Sequence, residues 1–170
     1  MGILNVTPDS FTDGGMHNSL PAAMNRVKEM ISEGVDIIDV GGESTRPGAE
    51  RVTEAEELAR TIPVIEAIAS AFPNVTISID TTRANVAEEA LKAGAKIIND
   101  VSGGLADPNM AALVAKSGLK YVVMHWRGSS DNMQSKAIYE DVNSEVITEL
   151  LARVDSLKSV GVLESQIILD

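Results

Sequence analysis

The sequence predicts an α/β fold of repeated strand–helix units around a parallel sheet. Two observations carry this. Short runs rich in Ile and Val alternate with longer segments of helical spacing. Most of these runs are apolar on both faces, as strands covered on both sides of a parallel sheet must be.

The expected strands are 2–6, 35–40, 75–80, 95–101, 120–125 and 166–170, and the expected helices are 21–33, 53–72, 84–93, 108–116 and 141–160. Helix ends agree with this division. Thr53 and Glu56 have the spacing of a capping box. Asp107 and Pro108 read as an N-cap followed by a first helical residue. Gly34, Gly94, Gly118 and Gly161 stand just past helical segments, where a left-handed residue closes the helix. Two architectures use such units, the eightfold βα barrel and the open doubly wound sheet. No Gly-x-Gly-x-x-Gly follows the first strand, which weighs against a dinucleotide-binding sheet. A whole barrel needs eight strands and about 250 residues, yet the sixth strand is reached only at Asp170.

Composition narrows the function. With 44% of its 170 residues apolar, the chain can bury a core as one domain. A net charge of −11 disfavours nucleic-acid binding. No apolar run is long enough to span a bilayer, and no basic region precedes the first strand. The chain has no cysteine, so thiolate chemistry and disulfides are excluded, and the expected location is cytoplasmic. His17 and His125 are too few and too distant for a zinc site. There is no Walker loop and no nucleophile elbow.

Polar residues stand at or near the C-terminal end of every expected strand. They are Asn5, Asp39 with the Gly41-Gly42-Glu43-Ser44 turn, Asp80, Asn99 with Asp100, His125 and Asp170. Any one of them is more often a helix cap than a functional group. Their recurrence on every strand points to a shared catalytic face. Asp80 and Asn99 lie inside apolar runs, so both are expected to be buried and to need partners. Carboxylates accept pairs of N–H bonds, and an amide both donates and accepts. Together they suit the edge of an amino-pyrimidinone ring, which guanine and pterins share. Two loaded loops follow the first two strands, at 5–15 and 41–48, and the second places Arg46 at that face. Loops of this kind close over substrates and exclude water; the plainer reading is two surface loops. Trp126 and Arg127 either line the pocket or cover the rim. Met110, Met124 and Met133 read most simply as core fillers.

The loops also carry a resemblance. GILNVTPDSFTDGG at 2–15 and GGESTRPGA at 41–49 resemble the first two signatures of dihydropteroate synthases. SIDT at 78–81, INDVSGG at 98–104 and VMHW at 123–126 also fit, in the same order. The resemblance implies a TIM (β/α)8 barrel, here truncated to about the first six strands and five helices. Residues 1–170 would be a pterin-binding domain incomplete at both ends. The implied reaction joins p-aminobenzoate to (7,8-dihydropterin-6-yl)methyl diphosphate, giving 7,8-dihydropteroate and diphosphate with the help of Mg2+.

Roles follow by matching position. Asn5 corresponds to the Mg2+ and diphosphate ligand. Asp80, Asn99 and Asp170 correspond to readers of the pterin edge, and Met124 to an apolar residue lining that pocket. Thr45 and Arg46 correspond to loop residues near the diphosphate and the p-aminobenzoate, and Pro8, Phe11 and Pro47 to the grip on the aminobenzoate ring. Asp13 resembles an acid facing the pterin cation, and an anion where positive charge develops lowers a barrier. The resemblance further implies small-molecule substrates and a homodimer for the full-length enzyme. The family's pterin-binding lysine, its Ser-Arg-Lys segment and its Arg-x-His anion site have no counterpart in this chain. Lacking the last two strands, the chain alone is expected to be inactive and prone to aggregate through the edges of its first and sixth strands. The rival readings are a methyltetrahydrofolate-dependent methyltransferase, which would not be expected to share the two loops, and a non-catalytic pterin-binding module.

Overall fold

The computed structural model describes residues 1–7, 16–44, 51–130 and 132–170, without the side chains of 16–19. Six parallel strands form one sheet: β1 (Gly2–Asn5), β2 (Ile37–Gly41), β3 (Thr76–Asp80), β4 (Ile97–Asp100), β5 (Lys120–Val123) and β6 (Ile167–Leu169). Their order in space is their order in the chain. This separates the two candidate architectures. A doubly wound sheet reverses its strand order at a switch point, whereas a barrel lays each strand beside the last.

The helices are α1 (Met16–Ser32), α2 (Glu54–Ala71), α3 (Ala84–Ala93), α4 (Met110–Ser117), the single turn α5 (Met133–Lys136) and α6 (Val142–Ser159). Right-handed crossovers between neighbouring strands put the helices on one face of the sheet. Successive residues of a strand point to opposite faces. Leu4, Ile38, Val40, Ile77, Ile79, Ile98, Tyr121 and Val123 therefore form the core beneath the helices. The opposite face carries Ile3, Asp39, Gly41, Ser78, Asp80 and Asn99. Its apolar members are uncovered at the outer strands: Ile3 is 65% exposed.

Several local expectations shift. α1 starts at Met16, with Pro21 inside it. The proline removes one backbone donor, but the buried stripe Ala23, Val27 and Met30 holds the helix to the sheet. Thr53 does cap α2, accepting from the Glu56 amide at 3.2 Å. Glu56 does not complete the box, because its carboxylate turns to Arg60. α4 begins at Met110, two residues late. Asp107 caps a different helix, accepting from the Ala84 amide of α3 at 2.8 Å and from the Asn109 amide at 2.9 Å. Gln166 belongs to a short 3-10 turn ahead of β6 and donates to the Val114 and Leu119 carbonyls at 2.8 and 3.0 Å. Gly34, Gly94, Gly118 and Gly161 all have positive φ, as expected of helix-closing residues.

Candidate active site

The parallel register builds the site. Asn5 pairs with Gly41, Gly41 with Asp80, and Asp80 with Asn99. Four neighbouring strands thus present one row, Asn5–Gly41–Asp80–Asn99, on the face away from the helices. Gly41 is small for a reason. A Cβ there would stand 3.4 Å from both Asn5 Oδ1 and Asp80 Oδ2, so the two polar groups flank a gap that a larger residue would fill.

Asp80 accepts no hydrogen bond among the described residues. Burial, and after it the neighbouring charge of Asp39, push its carboxyl up to about 7. Asp80 and Asn99 are half-buried rather than buried, because the strand ends open onto the face away from the helices. A carboxyl partly desolvated and given no donor among the described residues is suited to a ligand that brings N–H groups. Asn99 donates from Nδ2 to Asp39 Oδ2 at 2.9 Å.

The remaining expected residues divide. Met124 follows β5 and lines an apolar pocket of about 200 Å3 with Val101, Trp126 and Met133. That pocket shares Glu43 and Thr82 with the small cleft that Asp80 borders. Asp170 lies just past β6 and is exposed, its amide donating to the Val123 carbonyl at 3.1 Å. β6 stands two strands from β4, about 10 Å at the usual strand spacing. The structure therefore brings Asn5, Asp80 and Asn99 together and leaves Asp170 at the edge. Pro8, Phe11, Asp13, Thr45, Arg46 and Pro47 lie outside the described residues.

Asp100 shows why a polar strand end need not be functional. It faces the helices, next to Asn99 in sequence but on the other side of the sheet. It accepts from the Ser102 amide, the Ser102 hydroxyl, the Gly104 amide and the Tyr121 hydroxyl at 2.7–2.8 Å. Burial raises its carboxyl, and these donors oppose the rise. It pins the turn after β4, where Gly103 and Gly104 both take positive φ. Tyr121→Phe deletes one of these donors, and the expected loss is about 1–3 kcal/mol of stability by denaturant titration; an unchanged midpoint would show that the hydroxyl is dispensable to the turn.

His125 and Arg127 likewise serve the scaffold. His125 contacts Glu149 of α6 at 2.8 Å. Arg127 lies 4.0 Å over the Tyr139 ring and donates to Glu145 and the Ile138 carbonyl, both at 2.6 Å. Hydrogen bonds from Arg127, then His125, pull the Glu149 carboxyl down to about 2. Of the pair left open by the sequence, Trp126 lines the pocket and Arg127 ties the loop to α6.

A further cluster, around Arg83, has no counterpart in the sequence reading. Arg83 contacts Glu57 of α2, pairs with Glu43 at 2.9 Å and donates to the Val52 carbonyl at 2.6 Å. Glu43 also accepts from Arg51 at 3.0 Å and from the Val52 amide at 3.3 Å. These bonds join the residues on either side of 45–50. The one sequence signal was Glu57, a charge on the buried stripe that continues through Thr61, Val64, Ile65 and Ile68.

Among the described residues no three His, Cys, Asp or Glu side chains are grouped to hold a metal. Asn5 offers one neutral oxygen. Mg2+ commonly keeps water and takes substrate phosphates with few protein ligands. Such a donor set among the described residues fits a hard cation that keeps most of its ligands from water or substrate, not one caged by protein alone. No helix among the described residues is long and apolar enough to cross a membrane.

A sequentially ordered parallel βα sheet with a row of amide and carboxyl groups at its C-terminal edge defines a barrel-type ligand-binding domain. The chain belongs to the family of pterin binding enzymes, whose model matches residues 1–170. It is 50% identical over 170 residues to the dihydropteroate synthase of Synechocystis sp., covering all of this chain and 58% of that relative. Among solved structures, it is similar to Yersinia pestis dihydropteroate synthase in a sulfonamide drug complex, with 43% identity and a TM-score of 0.90 over 99% of this chain and 61% of that one. The Xanthomonas albilineans dihydropteroate synthase with 4-aminobenzoic acid matches with 39% identity and a TM-score of 0.90, over 99% and 59% of the two chains. The 170 residues thus span about three-fifths of the length of these relatives.

Proposed function

We propose that this domain forms the pterin half of a dihydropteroate synthase site. In the whole enzyme the amine of p-aminobenzoate attacks the methylene carbon of (7,8-dihydropterin-6-yl)methyl diphosphate. A C–N bond forms, the C–O bond breaks, diphosphate leaves with the electron pair, and the amine gives up a proton. The observation that carries this reading is the register row Asn5–Gly41–Asp80–Asn99, with Asp80 partly desolvated and without a donor among the described residues.

Asp80 and Asn99 read the amino-pyrimidinone edge, Asp170 joins them from β6, and Met124 packs against the ring. Asn5 directs its oxygen to the diphosphate end. Mg2+ bound to the diphosphate would offset the charge of the leaving group. Thr45 and Arg46 serve the diphosphate and the aminobenzoate, Pro8, Phe11 and Pro47 grip the aminobenzoate ring, and Asp13 faces the charge that develops on the pterin. Residues 1–170 act as one pterin-binding unit in a cytoplasmic homodimeric enzyme.

The test is calorimetric titration of the chain with the dihydropterin diphosphate, with and without Mg2+, after circular dichroism has established folding. Saturable binding weakened by Asn99→Ala supports the reading; no binding by a folded chain rejects the pocket as a site in its own right.

The pocket also has a pH signature. Asp80 titrates at about 7 when no ligand is bound, and ligand N–H groups require its carboxylate. Below that value the proton must leave on binding. Affinity is expected to rise about tenfold per pH unit up to about 7 and then level off, with one proton released at the low end. Calorimetry in buffers of different ionisation enthalpy reads that proton directly. A flat profile from pH 5 to 8 would remove Asp80 from the contact.

A further inference from the structure

We infer that Asp39 is a positioning and specificity-determining residue of this pocket, fixing which end of the Asn99 amide is offered to the ligand. The inference rests on the pterin reading above.

Asp39 sits on β2 one register row below Gly41, paired with Ser78 of β3. It is only 4% exposed. Its Oδ2 accepts from Asn99 Nδ2 at 2.9 Å, a bond that reaches from β2 to β4 across the intervening β3. An asparagine amide can turn end for end at little steric expense, so its polarity is set by its partners. Here the partner is a carboxylate, which accepts only. Were Asn99 reversed, its Oδ1 would face a carboxylate oxygen with no proton between them, in a site that already holds the half-buried carboxyl of Asp80. The amine is therefore the end held toward Asp39. The carbonyl Oδ1 is left over, and among the described residues nothing donates to it.

Two further atoms belong to the same assembly. Asp39 Oδ1 and Ser78 Oγ are buried and have no hydrogen-bond partner among the described residues. A buried carboxylate oxygen without a donor is energetically unfavourable, and natural folds retain such groups where they serve a site. Asp39 lies outside the core under the helices and forms no ion pair among the described residues. What it does is hold Asn99 and add negative potential beside Asp80.

The consequence is a polarity rule for the ligand. With Asn99 Oδ1 and the Asp80 carboxylate both presenting acceptors, the pocket selects a ring edge rich in N–H donors. A 2-amino-4-oxo pteridine has that edge. A 2,4-dioxo pteridine (lumazine) replaces the amino donor with a carbonyl acceptor and is disfavoured. Asp39→Asn frees the rule. An amide at position 39 can donate or accept, so Asn99 can present either end.

The experiment measures the dissociation constants of 6-hydroxymethylpterin and 6-hydroxymethyl-lumazine for the protein and its Asp39→Asn variant. The expected result is that the pterin preference falls about tenfold or more in the variant, largely because lumazine binds better. Equal weakening of both ligands, or an unchanged ratio, overturns the inference, since a merely structural Asp39 would not alter the ratio. A second measurement needs no ligand. The Asn99 side-chain amide signal, assigned by its disappearance in Asn99→Ala, is expected to show one slowly exchanging proton that becomes fast in Asp39→Asn. Exchange at the rate of an exposed asparagine in the unaltered protein overturns the inference by itself. Failure of the unaltered protein to bind either pteridine rejects the pterin reading, and the amide signal then decides the Asp39–Asn99 pair separately.

Discussion

Replacing Arg83 by alanine is expected to destabilise the domain by about 3–5 kcal/mol, the usual result of removing one partner from a buried ion pair. For a domain of this size that is a fall in melting midpoint of about 6–20 °C. Glu57 is 1% exposed and its charge is met by Arg83. Without the guanidinium, a carboxylate remains in the layer between α2 and the sheet, and Glu43 and the Val52 carbonyl lose the same donor. The loss comes mainly from the stranded charge. Arg83→Met with Glu57→Leu, which removes both charges and keeps the volume, is therefore expected to recover most of it. Thermal unfolding followed by circular dichroism reads both variants. A drop below about 1 kcal/mol for Arg83→Ala would place the pair among solvent-screened ones, and a double variant no better than the single would assign the loss to packing.

The second large effect runs in opposite directions for binding and stability. Asp80→Ala is expected to weaken dihydropterin binding about 10- to 200-fold, the range for losing a hydrogen bond to a charged group. The same change is expected to stabilise the unliganded fold at pH 8. The sign follows from the raised titration. The folded state holds the Asp80 proton up to about 7, well above the ordinary value of 3.8. The favourable contribution of that proton is fully present below the unfolded value and is lost as pH rises through the folded one. Above it, the unaltered protein carries an uncompensated charge that Asp80→Ala lacks. Melting midpoints at pH 5 and pH 8 test this: the variant's advantage should be larger at pH 8. A variant less stable than its parent at pH 8, with unchanged ligand affinity, would make Asp80 a structural residue.

Such a trade is the expected property of a site kept for a ligand. Asp80, the Asp39 oxygen that has no partner among the described residues and the empty Cβ position of Gly41 all sit in one patch. Each departs from what packing alone would favour. By contrast, Asp100 and Arg127 each make several hydrogen bonds to neighbouring turns and helices and hold them in place.

Much of this was legible in the chain. Alternating βα spacing and two-sided apolar runs follow from backbone periodicity, which each segment expresses for itself. The six strands, the five longer helices and the helix-closing glycines therefore appear close to where the sequence puts them. Asp80 and Asn99 stood out because a polar residue inside an apolar run needs a partner. Sequence alone left the sheet undecided between two architectures, since a βα repeat does not say which strand lies beside which. The sequential strand order settled it.

Partnership across distant segments was equally hidden. Asp107 reads as the cap of the helix that follows it, yet it caps α3, more than twenty residues earlier. Arg83 gave no signal, because its partners lie on the loop after β2 and on α2. Neighbouring Asn99 and Asp100 looked alike and parted only when the pleat sent one to the face away from the helices and the other beneath them. The sequence by itself determined the elements and the types of group available to the site. Tertiary structure decided which of those groups meet, because register and strand order, not spacing along the chain, bring Asn5, Gly41, Asp80 and Asn99 into one row.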